Sequence, residues 1–147
     1  MEVFTSSVLV LPYAAASVGV ARRRLLGDLA EAGVCDGTAS DAGLVLSELV
    51  SNSLRHASPL PGHTIRASWQ LGAGIVQIAV TDGGGPTIPT IIEPVGWAVG
   101  GRGLGIVDRL SLRWDVYDAD GVITVRAELP LRYGGTGSLV VASVRDA

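Results

Sequence analysis

Lysine is absent from all 147 residues, and the eleven basic side chains are arginines. That absence removes several chemistries. A Walker-type phosphate loop requires its lysine, a protein-kinase fold its strand lysine, and a pyridoxal enzyme a lysine for the Schiff base. Any grip on phosphate must come from backbone N–H groups, arginine or a metal. Cysteine is almost as scarce. Cys35 alone excludes an internal disulfide and a cysteine-based metal cluster, and it fits a reducing cytoplasm. Charged residues make up 17% and the net charge is −3, which leaves no basic footprint for a nucleic acid. No apolar run reaches the ~18 residues expected of a membrane span. The stretch "VLVLPYAAASVGVA" imitates a signal peptide's apolar region, but Glu2 is the only charge before it and Pro12 interrupts it. A cytoplasmic chain without membrane contact is the expectation.

What is present points to one globular domain over residues 1–147: 48% of the side chains are hydrophobic, enough for a real core at this length. "SVLVL" predicts a strand over 7–11, ended by Pro12. "SVGVARRRLLGDLAEAGV" predicts a helix that stops near Gly33, with part of the run Arg22, Arg23 and Arg24 facing solvent or a partner. A Cys-Asp-Gly turn then leads to Thr38 as N-cap of a second helix, with Asp41 three residues on. Val45, Leu46, Leu49, Val50 and Leu54 form its apolar face, and Pro59 and Pro61 close it. "TIRASWQLGAGIVQIAVTD" predicts two strands around a Gly-Ala-Gly turn.

Between Gly83 and Gly105 the periodicity gives way to glycine, proline and small residues, a length of patternless chain that is usually functional or mobile. "GLGIVDRLSLRW" predicts a helix, and "RWDVYDADGVITVRAEL" a hairpin turning at Asp120-Gly121. The tail, 133–147, is glycine-rich and then apolar, an edge strand or a disordered end. The expected fold class is α+β, a two-layer sandwich of a mixed, mostly antiparallel sheet with helices on one face.

Three features can carry chemistry. In "ELVSNSLRHA", Glu48, Asn52 and His56 recur at helical spacing with Arg55 beside them. Alone, they are as well explained by a solvent-facing stripe. Asp82 ends the apolar strand "IVQIAV" and runs into Gly83-Gly84-Gly85, which is either a tight turn or a place where a ligand meets backbone and carboxylate together. Gly101, Gly103 and Gly105 alternate just before the predicted third helix, whose N-terminus would offer free N–H groups to an anion. The spacing does not match the dinucleotide fingerprint, and no strand directly precedes it.

In this order the three features resemble those of the GHKL ATPases (gyrase, Hsp90, histidine kinase, MutL), which share the Bergerat ATP-binding fold. The resemblance covers about residues 5 to 131. It looks most like the small branch of anti-sigma-factor serine kinases, through the wording "ELVSNSLRHA", the short length and the lack of a histidine-phosphorylation domain. It implies ATP and Mg²⁺ as ligands. Asn52 would be the Mg²⁺ ligand and Glu48 the general base. Asp82 would accept the adenine amino group's hydrogen bond, with Gly84 letting the base sit close. Gly101, Gly103 and Gly105, with Arg102 and Leu104 between them, would hold the phosphates through backbone N–H groups. Arg55 would lie near the phosphates, and residues 86–100 would form a mobile lid. One departure is Pro86, where the family's first glycine box usually ends in glycine.

The function implied is that of an ATP-binding regulator: an anti-sigma factor with serine/threonine kinase activity on an antagonist protein. The sigma factor and the antagonist would be its partners, and a homodimer is compatible with the resemblance. Two other readings stand beside it, a non-catalytic ATP-binding module and the ATPase half of a split histidine kinase. Glu48 speaks against the first, since a binder has no need of a base.

Overall fold

The computed structural model of the chain describes residues 5–86 and 99–134, with backbone alone over 99–103. The elements run β1 (Ser6–Pro12), α1 (Ala16–Glu31), α2 (Asp36–His56), β2 (Thr64–Gly72), β3 (Ile75–Asp82), α3 (Val99–Leu110), β4 (Arg113–Ala119) and β5 (Val122–Pro130). The strands form one sheet in the order β1-β2-β3-β5-β4, and every neighbouring pair is antiparallel. The α+β sandwich expected from the sequence is the architecture found. Among the described residues the sheet is antiparallel throughout rather than mixed.

A period of two decides which face of the sheet is covered. The register aligns Ala67 with Val80, Trp69 with Ile78 and Leu71 with Val76, then Val76 with Leu129, Ile78 with Ala127 and Val80 with Val125. All of these are buried, while Arg66, Ser68, Gln70, Gln77 and Arg126 alternate onto the other face. The helices cover the apolar face. Val45, Leu46, Leu49 and Val50 of α2 meet it together with Ala21, Leu25 and Leu29 of α1 and Leu104 and Val107 of α3. Each large side chain buried this way contributes about 1.5–3 kcal/mol before entropy is counted. α2 packs against both other helices and against β3 and β5, so it is the central element of the helical layer.

Helix boundaries differ from the expectation at one instructive place. α2 begins at Asp36, and the Cys-Asp-Gly stretch is its first turn rather than a turn before it. Cys35 is the N-cap: its sulfur accepts the Thr38 N–H at 3.5 Å, doing with sulfur what Ser or Asp does with oxygen. The nearby Thr38 hydroxyl, with its N–H, holds the Cys35 thiol below the usual cysteine range. Thr38, expected as the cap, is instead buried within the first turn. The first helix stops as read, with Gly33 at φ +79° and its N–H bonded to the Ala30 carbonyl.

One arginine of the run is used internally. Arg24 pairs with Asp28, whose Oδ2 also accepts from Ser7 Oγ (2.7 Å) and Trp69 Nε1 (2.9 Å), tying α1 to β1 and β2. Arg22 and Arg23 are exposed. No helix among the described residues is long and apolar enough to cross a membrane. The tail beyond Gly134 and, of the lid read over 86–100, residues 87–98 lie outside the described residues.

Candidate functional site

The stripe seen in the sequence spans two turns of α2 and ends on its last residue, His56, so it is not one environment. Asn52 is 6% exposed, Glu48 is half-buried, and Arg55 and His56 are exposed in the last turn. The Asn52 Oδ1 is buried and finds no hydrogen-bond partner among the described residues. Leaving such an acceptor unmade costs about 1–3 kcal/mol, so Asn52 is neither a solvent residue nor a satisfied core amide. A cation or a ligand donor is what that oxygen fits. Glu48, one turn earlier, makes no ion pair or side-chain hydrogen bond among the described residues, and neither does Arg55.

Asp82 closes β3 and is 4% exposed. Its carboxylate is held at both oxygens: Gly84 N–H donates to Oδ1 at 2.8 Å and the Ser53 hydroxyl to Oδ2 at 2.5 Å. The loop after it lies directly on the chain that leaves α2. Gly83 N–H donates to the Ser58 carbonyl (2.7 Å), and Ser58 N–H to the Gly84 carbonyl (2.6 Å). This close approach explains the glycines. A Cβ on Gly83 would overlap the Pro59 carbonyl oxygen, and one on Gly84, at φ +80°, the carbonyl oxygen of Gly121. The run is therefore more than a tight turn: it lets three backbone segments meet beside a buried carboxylate. Tyr13 fixes the same corner, its hydroxyl lying within donating distance of the Leu54 (3.1 Å) and Ala57 (2.5 Å) carbonyls that α2 leaves free at its end.

Ser53 is the residue that sequence reasoning missed. It is 5% exposed and stands three and four residues after Val50 and Leu49, on the buried side of α2. A hydroxyl in an apolar-face register must find a partner. That register was the available signal, and the partner is Asp82.

The alternating glycines sit differently from the expectation. α3 starts at Val99, so Gly101, Gly103 and Gly105 lie inside the helix rather than before it. Only the first four N–H groups of a helix, counted from the N-cap, lack an internal partner, and of the helical residues here these are Val99, Gly100 and Gly101. Glycine disfavours helix by about 1 kcal/mol per residue, which is why the stretch looked like loop. Tertiary packing overrides that preference, because Leu104 and Val107 are buried in the core. Leu104 thus offers the site no side chain. α3 packs on α2, so the glycine-rich helix, Asn52 and the Asp82 corner are all gathered around one central helix. Among the described residues no group of three or more His, Cys, Asp or Glu side chains could hold a metal.

Residues 11–128 match the model of the histidine kinase-like ATPase domain. Among solved structures, the RsbU and RsbW domains of Rv1364c from Mycobacterium tuberculosis align with a TM-score of 0.68 at 20% identity, over 88% of this chain and 34% of that one. The histidine kinase domain of the EL346 blue-light activated histidine kinase from Erythrobacter litoralis gives 0.48 at 20% identity, over 91% and 66%. The chain spans about a third of the first of these two, and the likeness at this identity is one of fold. No curated protein matches the chain.

Proposed function

The chain belongs to the histidine kinase-like ATPase domain family, and on that premise we propose that it binds ATP with Mg²⁺ and phosphorylates a small partner protein on serine or threonine. In this reading it is an anti-sigma factor, the phosphorylated partner is its antagonist, and phosphorylation controls release of a sigma factor. The observation that carries the proposal is the orphaned Asn52 Oδ1 beside Ser53, the residue that holds Asp82. Adjacent positions on α2 thereby serve the two ends of one ligand.

Asp82 receives the base. A carboxylate has about four acceptor sites, and two of them are taken by Gly84 and Ser53. The others accept from the 6-amino group of adenine. The phosphates lie towards the first turn of α3, where unbonded N–H groups and the positive end of the helix dipole favour anions. Gly101 supplies an unbonded N–H group of that first turn, Arg102, Gly103, Leu104 and Gly105 continue the helix that carries it, and Arg55 is a cation within α2's last turn. Mg²⁺, a hard cation content with one protein oxygen, would be held by Asn52 and the phosphates and would neutralise their charge when bound.

Glu48 acts as the base. It takes the proton of the partner's hydroxyl as that oxygen bonds to the γ-phosphorus, and the bond from phosphorus to the bridging oxygen breaks with ADP leaving. Its half-buried carboxylate, free of any partner among the described residues, suits that role. The likeness of fold to a structure containing an RsbW domain is in keeping with the assignment to a small regulatory kinase.

The test is phosphotransfer from γ-labelled ATP with Mg²⁺ to candidate antagonist proteins. Label recovered as phosphoserine or phosphothreonine on one of them is the expected result. Nucleotide binding with no transfer to any hydroxyl, or label appearing on a histidine, contradicts the proposal.

A further inference from the structure

We propose that Ser53 is a positioning residue that sets the preference of this site for a base carrying a 6-amino group, an inference that rests on the adenine reading of Asp82. The Ser53 hydroxyl has one proton, and at 2.5 Å from Asp82 Oδ2 that proton is committed to the carboxylate. The Gly84 N–H pins the other oxygen at 2.8 Å. Held by Gly84 alone, a terminal carboxylate turns freely about its last torsion, whose energy wells are broad. Held at both oxygens and 96% buried, it keeps one plane and presents its remaining lone pairs in fixed directions.

The consequence is chemical. With its proton spent, Ser53 adds an acceptor, not a donor, to a corner where Asp82 also only accepts. A base that brings an amino group satisfies this corner. A base that brings a carbonyl at the same position sets acceptor against acceptor, and one with only hydrogen there leaves the carboxylate unmatched. Sites built to receive a particular hydrogen bond reject analogues lacking it, because their own buried groups are then left unpaired.

The experiment compares ATP with purine riboside 5′-triphosphate, which lacks only the 6-amino group, by calorimetry with Mg²⁺. The intact chain should favour ATP by about 100-fold, the upper range for a hydrogen bond to a charged group. Ser53→Ala should compress that ratio to about 10-fold or less by weakening ATP far more than the analogue. Ser53→Thr, which restores a hydroxyl, should recover it. Should the alanine variant not fold, Ser53→Cys keeps the shape with a weaker donor and should compress the ratio in the same direction.

A Ser53→Ala protein that loses affinity for both nucleotides alike has lost only structure, and that result overturns the proposal. So does an unchanged ratio at unchanged affinity. Failure of the intact chain to bind ATP at all instead overturns the adenine reading beneath it, so the two failures are distinguishable.

Discussion

On the proposed reading, Asn52→Ala should abolish Mg²⁺-dependent ATP binding while leaving the nucleotide-free protein as stable as before. Both halves follow from one atom. Asn52 Oδ1 is buried and unpartnered among the described residues, so the ligand-free fold carries its desolvation cost without return. Removing it deletes that cost, which offsets the packing lost with the amide, and the unfolding midpoint holds or rises. On that reading bound ATP would lose the protein oxygen proposed to anchor its metal, and calorimetry should show affinity in Mg²⁺ falling by about 100-fold or more, a charge-assisted interaction's worth. An ordinary core asparagine would give the opposite pattern, with stability lost and affinity kept. Unchanged affinity removes the metal assignment.

Glu48→Gln separates binding from chemistry. Glutamine keeps the size and one acceptor oxygen of the side chain but cannot take up the proton of an attacking hydroxyl. Phosphotransfer to the partner should fall by about 10²–10⁴-fold, the usual contribution of general-base catalysis, with the ATP dissociation constant within about threefold of the original. Glu48 is half-buried and unpaired among the described residues, so the substitution disturbs no ion pair and its effect on folding should be small. A variant that phosphorylates its partner at the normal rate takes Glu48 out of the mechanism.

The layered fold was legible because its two periods are clean. Alternation along 64–72 and 75–82 and the 3.6-residue spacing of Val45, Leu46, Leu49 and Val50 are the sheet face and helix face observed. The start of α2 was not legible, because the capping group is the sulfur of Cys35 where oxygen-bearing residues are the usual signal. The start of α3 was hidden by glycine, whose poor propensity gives no hint that Leu104 and Val107 will be held by the core.

The site divides in the same way. Asn52 and Asp82 stood out as polar groups in apolar surroundings, and both are buried. His56 shares the helical spacing of Asn52 but is the last residue of α2, and it is exposed where Asn52 is buried. Ser53 escaped notice because a serine beside a conspicuous asparagine looks incidental until its register is compared with that of Leu49 and Val50. The close approach that demands Gly83 and Gly84 involves Pro59 and Gly121, segments whose meeting depends on the sheet order and is written nowhere in the local sequence.

The central claim is that α2, the Asp82 corner and the start of α3 form a site for nucleotide with Mg²⁺. The melting midpoint of the intact chain, measured with ATP and Mg²⁺ together and with each alone, tests it most directly. At about a hundred times the dissociation constant, binding to the native state adds about 2.7 kcal/mol, which for a domain of this size raises the midpoint by roughly 5–15 °C. That rise should need both components and shrink when the metal is chelated. A midpoint that millimolar ATP and Mg²⁺ leave unmoved contradicts the account.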